Sequence, residues 1–324
     1  MKEFIQKVLA LQPSDRQRKG LLPLEWSLMA YVGLTLILMA VMSSHLVEPM
    51  QMLGTRALVV SVTLILWALY RKFPCSFLVY VRVCMPFIFL SRLYPDTYEF
   101  CRIFDNLDHV FATLEQSIFG CQPSLWFSIK CPWKWFSEAL NLGYSSYFFM
   151  LLVTVTWFWI KNPRDLQRLG FVVLSSFFLY YLVYIFLPVS GPQYYYQAEG
   201  VDPYNGVFPA MGHYFNTHTE MYPAPVGEGV FYDLVWVAHV AGERPTAAFP
   251  SSHIGISTIL IFMVFRYRQR GLGFFLLPFY LLLCVSTVYI HAHYLIDAIA
   301  GFVTAWAVYF FLESLYNRIP WKEK

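Results

Sequence analysis

Eight apolar runs divide the chain, at residues 26–42, 57–70, 76–91, 140–160, 169–187, 252–265, 273–290 and 295–312. Several fall at or below the ~20 residues that a helix needs to cross ~30 Å of hydrocarbon. In lipid at these lengths only a helix satisfies its own backbone, so the pattern predicts an all-α polytopic membrane bundle of about eight spans. Run 26–42 is long for a secretion signal and no small-residue cleavage site follows it, so it reads as a retained span. Before it, Phe4, Ile5, Val8 and Leu9 fall on one helical face among basic residues, the pattern of a short helix on the membrane surface.

Polar residues interrupt this pattern at two places. Ser286–Gly301 reads STVYIHAHYLIDAIAG, with two histidines and an aspartate between two apolar runs. Phe249-Pro250-Ser251-Ser252-His253 opens the run before it. Ionisable groups at membrane depth are costly and point to function by default. Arg82, inside run 76–91, poses the same question. It is either functional or reaches to the cytoplasmic edge, and the second reading is favoured.

Composition agrees with a membrane protein: 58% apolar, 19% aromatic and 13% charged, where a soluble domain carries about 25% charged residues. A net charge of +3 is too weak to suggest a nucleic-acid partner. The positions of the charges say more. With the N-terminus in the cytoplasm, segments 1–23, 71–75, 161–168, 266–272 and 313–324 hold sixteen of the 23 Lys and Arg residues. The positive-inside rule thus selects this orientation, with both termini cytoplasmic. Stretch 188–196, Pro250–His253 and His291–Asp297 then share one extracytoplasmic face. The chain reads as one integral-membrane domain, 1–324, with N-terminal spans in 1–91 and a catalytic region in 92–315.

The long connections 92–139 and 188–251 carry spaced aromatics and read as interfacial helices and a structured loop over the site mouth. Tyr194-Tyr195-Tyr196 would anchor that loop at the interface, or stack on a headgroup. Cys121 and Cys131 could bond in an oxidising compartment, but the reading of free thiols is preferred. His213, His218, Glu220 and His239 lack metal-ligand spacing and read as polar surface.

His293 and Asp297 stand four apart, one turn on a helix face. A carboxylate holding one imidazole nitrogen frees the other for attack. The bland alternative is a buried pair tying two helices. Pro250-Ser251-Ser252-His253 starts a helix, whose first N–H groups attract anions and which Ser251 or Ser252 can cap. An anion site beside two histidines and a carboxylate on one face favours chemistry on a phosphate. A proton-relay transporter is the alternative from another class, but the polar groups cluster at one face and no inverted repeat appears.

A Pro-Ser-x-His helix start followed by Ser-x6-His-x3-Asp resembles the type 2 phosphatidic acid phosphatase (PAP2) superfamily. Pro250, Ser251 and His253 match the first pattern; Ser286, His293 and Asp297 match the second. The resemblance covers roughly 90–315. It implies His293 as nucleophile, Asp297 as its orienting carboxylate, His253 as general acid and then base, a phosphohistidine intermediate, and neither metal nor cofactor. Two departures stand out. The arginine that usually follows the serine is Thr287, and the usual lysine and Arg-Pro motif is replaced by Ser190-Gly191-Pro192-Gln193. Arg92 and Arg244 are the substitute cations for the phosphate. Thr287 with His291-Ala292-His293-Tyr294 is similar to the inositol phosphorylceramide synthase and sphingomyelin synthase branch, as is the stretch holding Asp108, Glu115 and Glu138. That branch moves a phospho-headgroup from a glycerophospholipid to ceramide. It implies that Ser251, Ser252, Ser286, Thr287, His291 and Tyr294 line the substrate site. The other outcome of the same residues is a lipid phosphate phosphatase acting on phosphatidic acid or isoprenyl pyrophosphate.

Overall fold

The computed structural model describes residues 10, 20–198 and 206–319. It is 74% helical, with no strand among the described residues. The expected surface helix near Phe4 to Leu9 lies outside the described residues. Helices in chain order are α1 (Pro23–Val41), α2 (Pro49–Lys72), α3 (Ser76–Leu93), α4 (Pro95–Cys101), α5 (Asp108–Phe119), α6 (Pro123–Lys130), α7 (Lys134–Lys161), α8 (Pro163–Phe186), α9 (Pro192–Tyr195), α10 (Val230–Gly242), α11 (Ser252–Arg266), α12 (Arg270–Tyr289) and α13 (Leu295–Arg318), with a 3-10 turn at Tyr214–Asn216.

Seven of them, α1, α2, α3, α7, α8, α12 and α13, are long and apolar enough to cross a bilayer, which makes this an integral multi-pass membrane protein. The remaining run of the eight, 252–265, became α11, an apolar helix whose 15 residues extend about 22 Å at 1.5 Å per residue, shorter than the other seven. Large apolar residues such as Ile37, Ile65, Phe148, Phe275 and Phe310 are exposed. In lipid such side chains meet acyl chains rather than water.

The chain divides into two units. One falls within Met1–Tyr94, Leu152–Phe178 and Tyr309–Lys324, the other within Pro95–Leu151 and Leu179–Val308. In the first, Leu24, Leu28 and Val32 repeat every fourth residue on α1 and are fully buried. Gly170 of α8 leaves just enough room there: a Cβ at this position would stand 3.3 Å from Val83 and 3.4 Å from Leu24. Arg82 is also in this unit, and it turns toward the start of α1, where it also meets Gly20 O at 3.1 Å. It is fully buried, and its guanidinium grips Glu25 at 2.8 and 2.5 Å. Glu25 in turn accepts the Leu22 N–H at 2.7 Å. An unpaired buried charge is too costly to keep, so each member of this pair holds the other in place.

In the second unit α11 packs along α12, and α12 packs on α6. The expected interfacial segment 92–139 forms α4, α5 and α6 and leads into α7. All six cysteines, including Cys121 and Cys131, are free thiols. Tyr194, Tyr195 and Tyr196 are buried at 4% exposure or less. They therefore neither anchor the loop at an interface nor present a stacking surface. They fill a core with Val189, Phe215 and Tyr294, and Tyr196 donates to Gln122 at 2.7 Å.

Candidate active site

All of the site lies in the second unit. The helix α12 ends at Tyr289 and α13 begins at Leu295, so His291 and His293 sit in the turn between them. His293 is thus not on the same helix as Asp297, as the spacing had suggested. Its backbone N–H bonds to Thr287 O at 2.9 Å. His291 adopts a left-handed φ of 65°, which histidine tolerates better than branched residues.

The two polar stretches meet. Ser251 N–H donates to Asp297 O at 3.1 Å. The His253 and His293 ring centroids stand 5.8 Å apart. His253 is wedged between Tyr144, stacked at 4.7 Å, and Tyr147 at 4.6 Å. Stretch 188–196 joins them through Ala248 N–H to Val189 O at 3.0 Å and Gln193 N–H to His291 O at 2.8 Å. Gly191 is required here: its φ is 91°, and a Cβ would press on Ala292 O at 2.9 Å.

His293 Nδ1 lies 2.8 Å from the carbonyl oxygen of Ala248, a contact that makes Nδ1 the protonated nitrogen and leaves Nε2 with its lone pair. Asp297 Oδ2 is farther, 3.8 Å from Nδ1, and accepts the Tyr294 N–H at 2.9 Å. The direct orienting acceptor is therefore a backbone carbonyl, with the carboxylate behind it. Burial pushes the His293 imidazole down to about 4, against the opposing pull of the Ala248 carbonyl and the Glu243 charge. It is neutral at pH 7.

Three carboxylates hold the backbone around these residues. Buried Asp108 accepts from the Ser190 and Gly191 N–H groups at 2.6 and 2.8 Å, from Asn106 at 2.6 Å and from the Tyr294 hydroxyl at 3.0 Å. Burial raises its carboxyl above the ordinary range. Glu115 caps α13, accepting Leu295 N–H at 2.6 Å and Ile296 N–H at 3.2 Å through Oε1. Its Oε2 is buried without a partner, as is Asp297 Oδ1. Burial and then the Asp297 charge push the Glu115 carboxyl up to about 8. Glu138 caps α10 through the N–H groups of Phe231 and Tyr232 at 3.1 and 2.9 Å. In the sequence these three acids enter only through a resemblance, and of them Glu115 alone stands away from basic residues in an apolar context.

The remaining residues divide. Ser251 caps α11, its Oγ facing Ile254 N–H at 3.5 Å. The Ser252 N–H is not free for an anion: it donates to the Tyr184 hydroxyl at 3.0 Å, which donates to Pro250 O at 2.9 Å. Ser286 and Thr287 turn their hydroxyls back on their own helix, to Leu283 O at 2.9 Å and Cys284 O at 3.1 Å. Neither hydroxyl is therefore offered to a phosphate, a correction to their expected role. The Tyr294 hydroxyl is likewise spent on Asp108. His291 is buried with both ring nitrogens unpartnered. Arg244 is exposed, its Nη1 on Glu243 O at 3.0 Å. Arg92 belongs to the other unit, at the exposed end of α3. Among the described residues no three His, Cys, Asp or Glu side chains gather as a metal site would require. His213 faces Asp105 at 3.5 Å, His218 stacks on Tyr214 at 4.0 Å, and His239 meets the Tyr144 ring edge-on at 5.7 Å.

The second unit is thus an all-helical body with two buried histidines facing one another. The family model of the PAP2 superfamily matches residues 112–311, more than half of the chain and the whole of the histidine site. The chain belongs to the PAP2 superfamily, whose members are phosphatases and phosphotransferases. No curated protein and no solved structure matches it.

Proposed function

We propose that the protein is a membrane lipid phosphotransferase that works through a phosphohistidine, moving a phospho-headgroup from a glycerophospholipid to ceramide or a similar lipid alcohol. The observation that carries the chemistry is the pair of rings 5.8 Å apart, with His293 Nδ1 held on Ala248 O. His293 Nε2 attacks phosphorus, forming a P–N bond as the P–O bond to the leaving alcohol breaks. His253 protonates that leaving oxygen. In the second half the acceptor hydroxyl gives its proton to His253, its oxygen bonds phosphorus, and the P–N bond breaks. The neutral state of His293 at pH 7 supports its use as nucleophile.

The choice of transfer over hydrolysis rests on charge. Phosphoryl transfer depends on stabilising the equatorial oxygens. A phosphodiester lipid brings one negative charge, whereas a monoester or pyrophosphate brings more. Among the described residues the rings and backbone shown against the histidines are Tyr144, Tyr147, Tyr222 and the Ala248 carbonyl, uncharged groups that suit the single charge of a diester better than a monoester. Thr287 supports this only by not being an arginine, because its hydroxyl is turned away. The alternative, a lipid phosphate phosphatase on phosphatidic acid or isoprenyl pyrophosphate, uses the same residues with water as acceptor. With α11 taken as a short eighth crossing, the distribution of Lys and Arg supports a site on the extracytoplasmic face and both termini in the cytoplasm; the branch resemblance suggests a bacterial inner membrane.

The test is turnover of labelled phosphatidylinositol with ceramide in detergent. Formation of inositol phosphorylceramide by the wild-type protein and its loss in His293→Ala are expected. Free phosphate from a monoester without any transfer product would establish the phosphatase instead.

A further inference from the structure

Near the histidine pair lies a pocket, open on one side, with a cavity volume of about 30 Å³, room for a hydroxyl group or ordered water. Ser137 and Asn141 of α7, Gln193 of α9, Tyr222 of the loop, and Trp236 and His239 of α10 supply its walls. No Lys, Arg, Asp or Glu lines it.

One group in this pocket carries a buried polar atom without a hydrogen-bond partner. His239 is buried at 8% exposure, and its Nε2 has no hydrogen-bond partner. A buried, unmade hydrogen bond costs stability, so a side chain kept in that condition points to a bound partner. The side chain of Gln193 likewise makes no hydrogen bond to the described residues, while its backbone is fixed at both ends, by His291 O at 2.8 Å and by the Tyr222 N–H.

One layer of residues separates the pocket from the reaction centre. Tyr144 stands between His239, at 5.7 Å, and His253, at 4.7 Å. Ile290, which lines the pocket, directly precedes the turn that carries His291 and His293. On the outer side, Val230, Val237 and Val240 of α10 are exposed, as on a helix that meets acyl chains.

We propose that this pocket binds an uncharged, hydroxyl-bearing group of a lipid substrate, with His239 and Gln193 as its hydrogen-bonding residues. Amide, imidazole and phenol groups without charge suit hydroxyls, which both donate and accept. A second phosphate would require cations, and the walls hold none. The hydroxyls come either from a polyol headgroup on the donor or from the acceptor alcohol. The proposal rests on the reading of His253 and His293 as the reaction centre.

The experiment uses the full chain in detergent, in a catalytically silent His293→Ala background, and measures binding by calorimetry. The probes are glycerophosphoinositol for a donor headgroup, a short-chain ceramide for an acceptor, and glycerophosphocholine and inorganic phosphate as controls. One of the first two is expected to bind, and His239→Phe and Gln193→Leu are each expected to weaken it at least tenfold; which probe responds identifies the source. The melting temperature of each variant reports whether it folds, and two variants keep the test open if one does not. No binding of either hydroxylated probe, unchanged binding in both folded variants, or binding of the controls as tight as that of the hydroxylated probes overturns the proposal. Failure of the reaction reading is seen separately, as phospholipid turnover by wild-type protein that His293→Ala leaves unchanged.

Discussion

His293 is oriented by Ala248. The Nδ1 nitrogen is 2.8 Å from the Ala248 carbonyl and 3.8 Å from Asp297. A carbonyl accepts but never donates, so it fixes the tautomer by itself, and Asp297 is left to hold the turn through the Tyr294 N–H. Removing a group that acts through another costs about 10–100-fold, by analogy with outer-shell ligands of metal sites. Asp297→Asn, which keeps an acceptor for Tyr294, is expected to lower kcat by about that factor. His293→Ala is expected to abolish turnover. Single-turnover assays with labelled lipid, with trapping of the phosphohistidine, check both.

Glu115 should give the enzyme an alkaline limb of its own. Its carboxyl, raised to about 8 by burial and then by the Asp297 charge, carries a proton at pH 7. The groups around it are Asp297, Tyr196 and the α13 N–H groups of Leu295 and Ile296; Asp108 and Tyr294 lie close to Asp297. Above about 8 the carboxyl ionises and places a buried charge beside Asp297 at the start of α13. Activity is expected to fall as pH rises through that value. Glu115→Gln copies the protonated form, keeps a carbonyl for both N–H groups, and should retain activity while losing this limb. Glu115→Ala uncaps the helix and should lose activity at every pH.

On the acid side His293 sets the limit. A group whose pKa is lowered to about 4 from the ordinary 6.5 stays neutral until pH falls to that lower value. The acid limb of kcat/KM that reflects the nucleophile is therefore expected near pH 4, not in the ordinary histidine range. Ala248 is the lever: its carbonyl opposes the shift, so a change that moves residues 247–249 away should drive the limb lower still. A pH profile with phospholipid in mixed micelles reads this directly.

Much of this was legible in the chain because lipid leaves the backbone few choices. Eight apolar runs became eight apolar helices, seven of spanning length and α11 shorter. The facing of Pro250–His253 and His291–Asp297 followed from topology, and the Ser251–Asp297 backbone bond joins them. What stayed hidden has physical reasons. Ala248 acts through its main-chain oxygen, which no residue type announces. Glu115 caps a helix 180 residues away, and Arg82 finds Glu25 across 57 residues; pairing at such range has no periodicity. Tyr194–Tyr196 look like interface residues by type, yet burial in a tyrosine-rich core depends on neighbours from α5, α6 and the loop. Ser286 and Thr287 align with a motif, while the direction of their hydroxyls is set by the helix they sit on.

Gly301 tests whether the two polar stretches must touch. It lies on α13 one turn beyond Asp297, and a Cβ there would collide with the carbonyl oxygen of Ser251 and stand 3.2 Å from its Cβ. Ser251 begins α11 and binds Asp297 O through its N–H, so backbone has to move for any side chain at 301. Gly301→Ala adds one methyl group and should stabilise a helix interior by propensity alone, by about 1 kcal/mol. Overpacking of about 1–3 kcal/mol opposes it. The variant is expected to melt at a lower temperature than wild type and to lose kcat much more than it raises KM, because the shift falls on the spacing of His253 from His293 and not on the lipid-facing surface. A raised melting temperature with unchanged kcat would show that α11 and α13 tolerate separation, and that the close approach at Gly301 is packing alone.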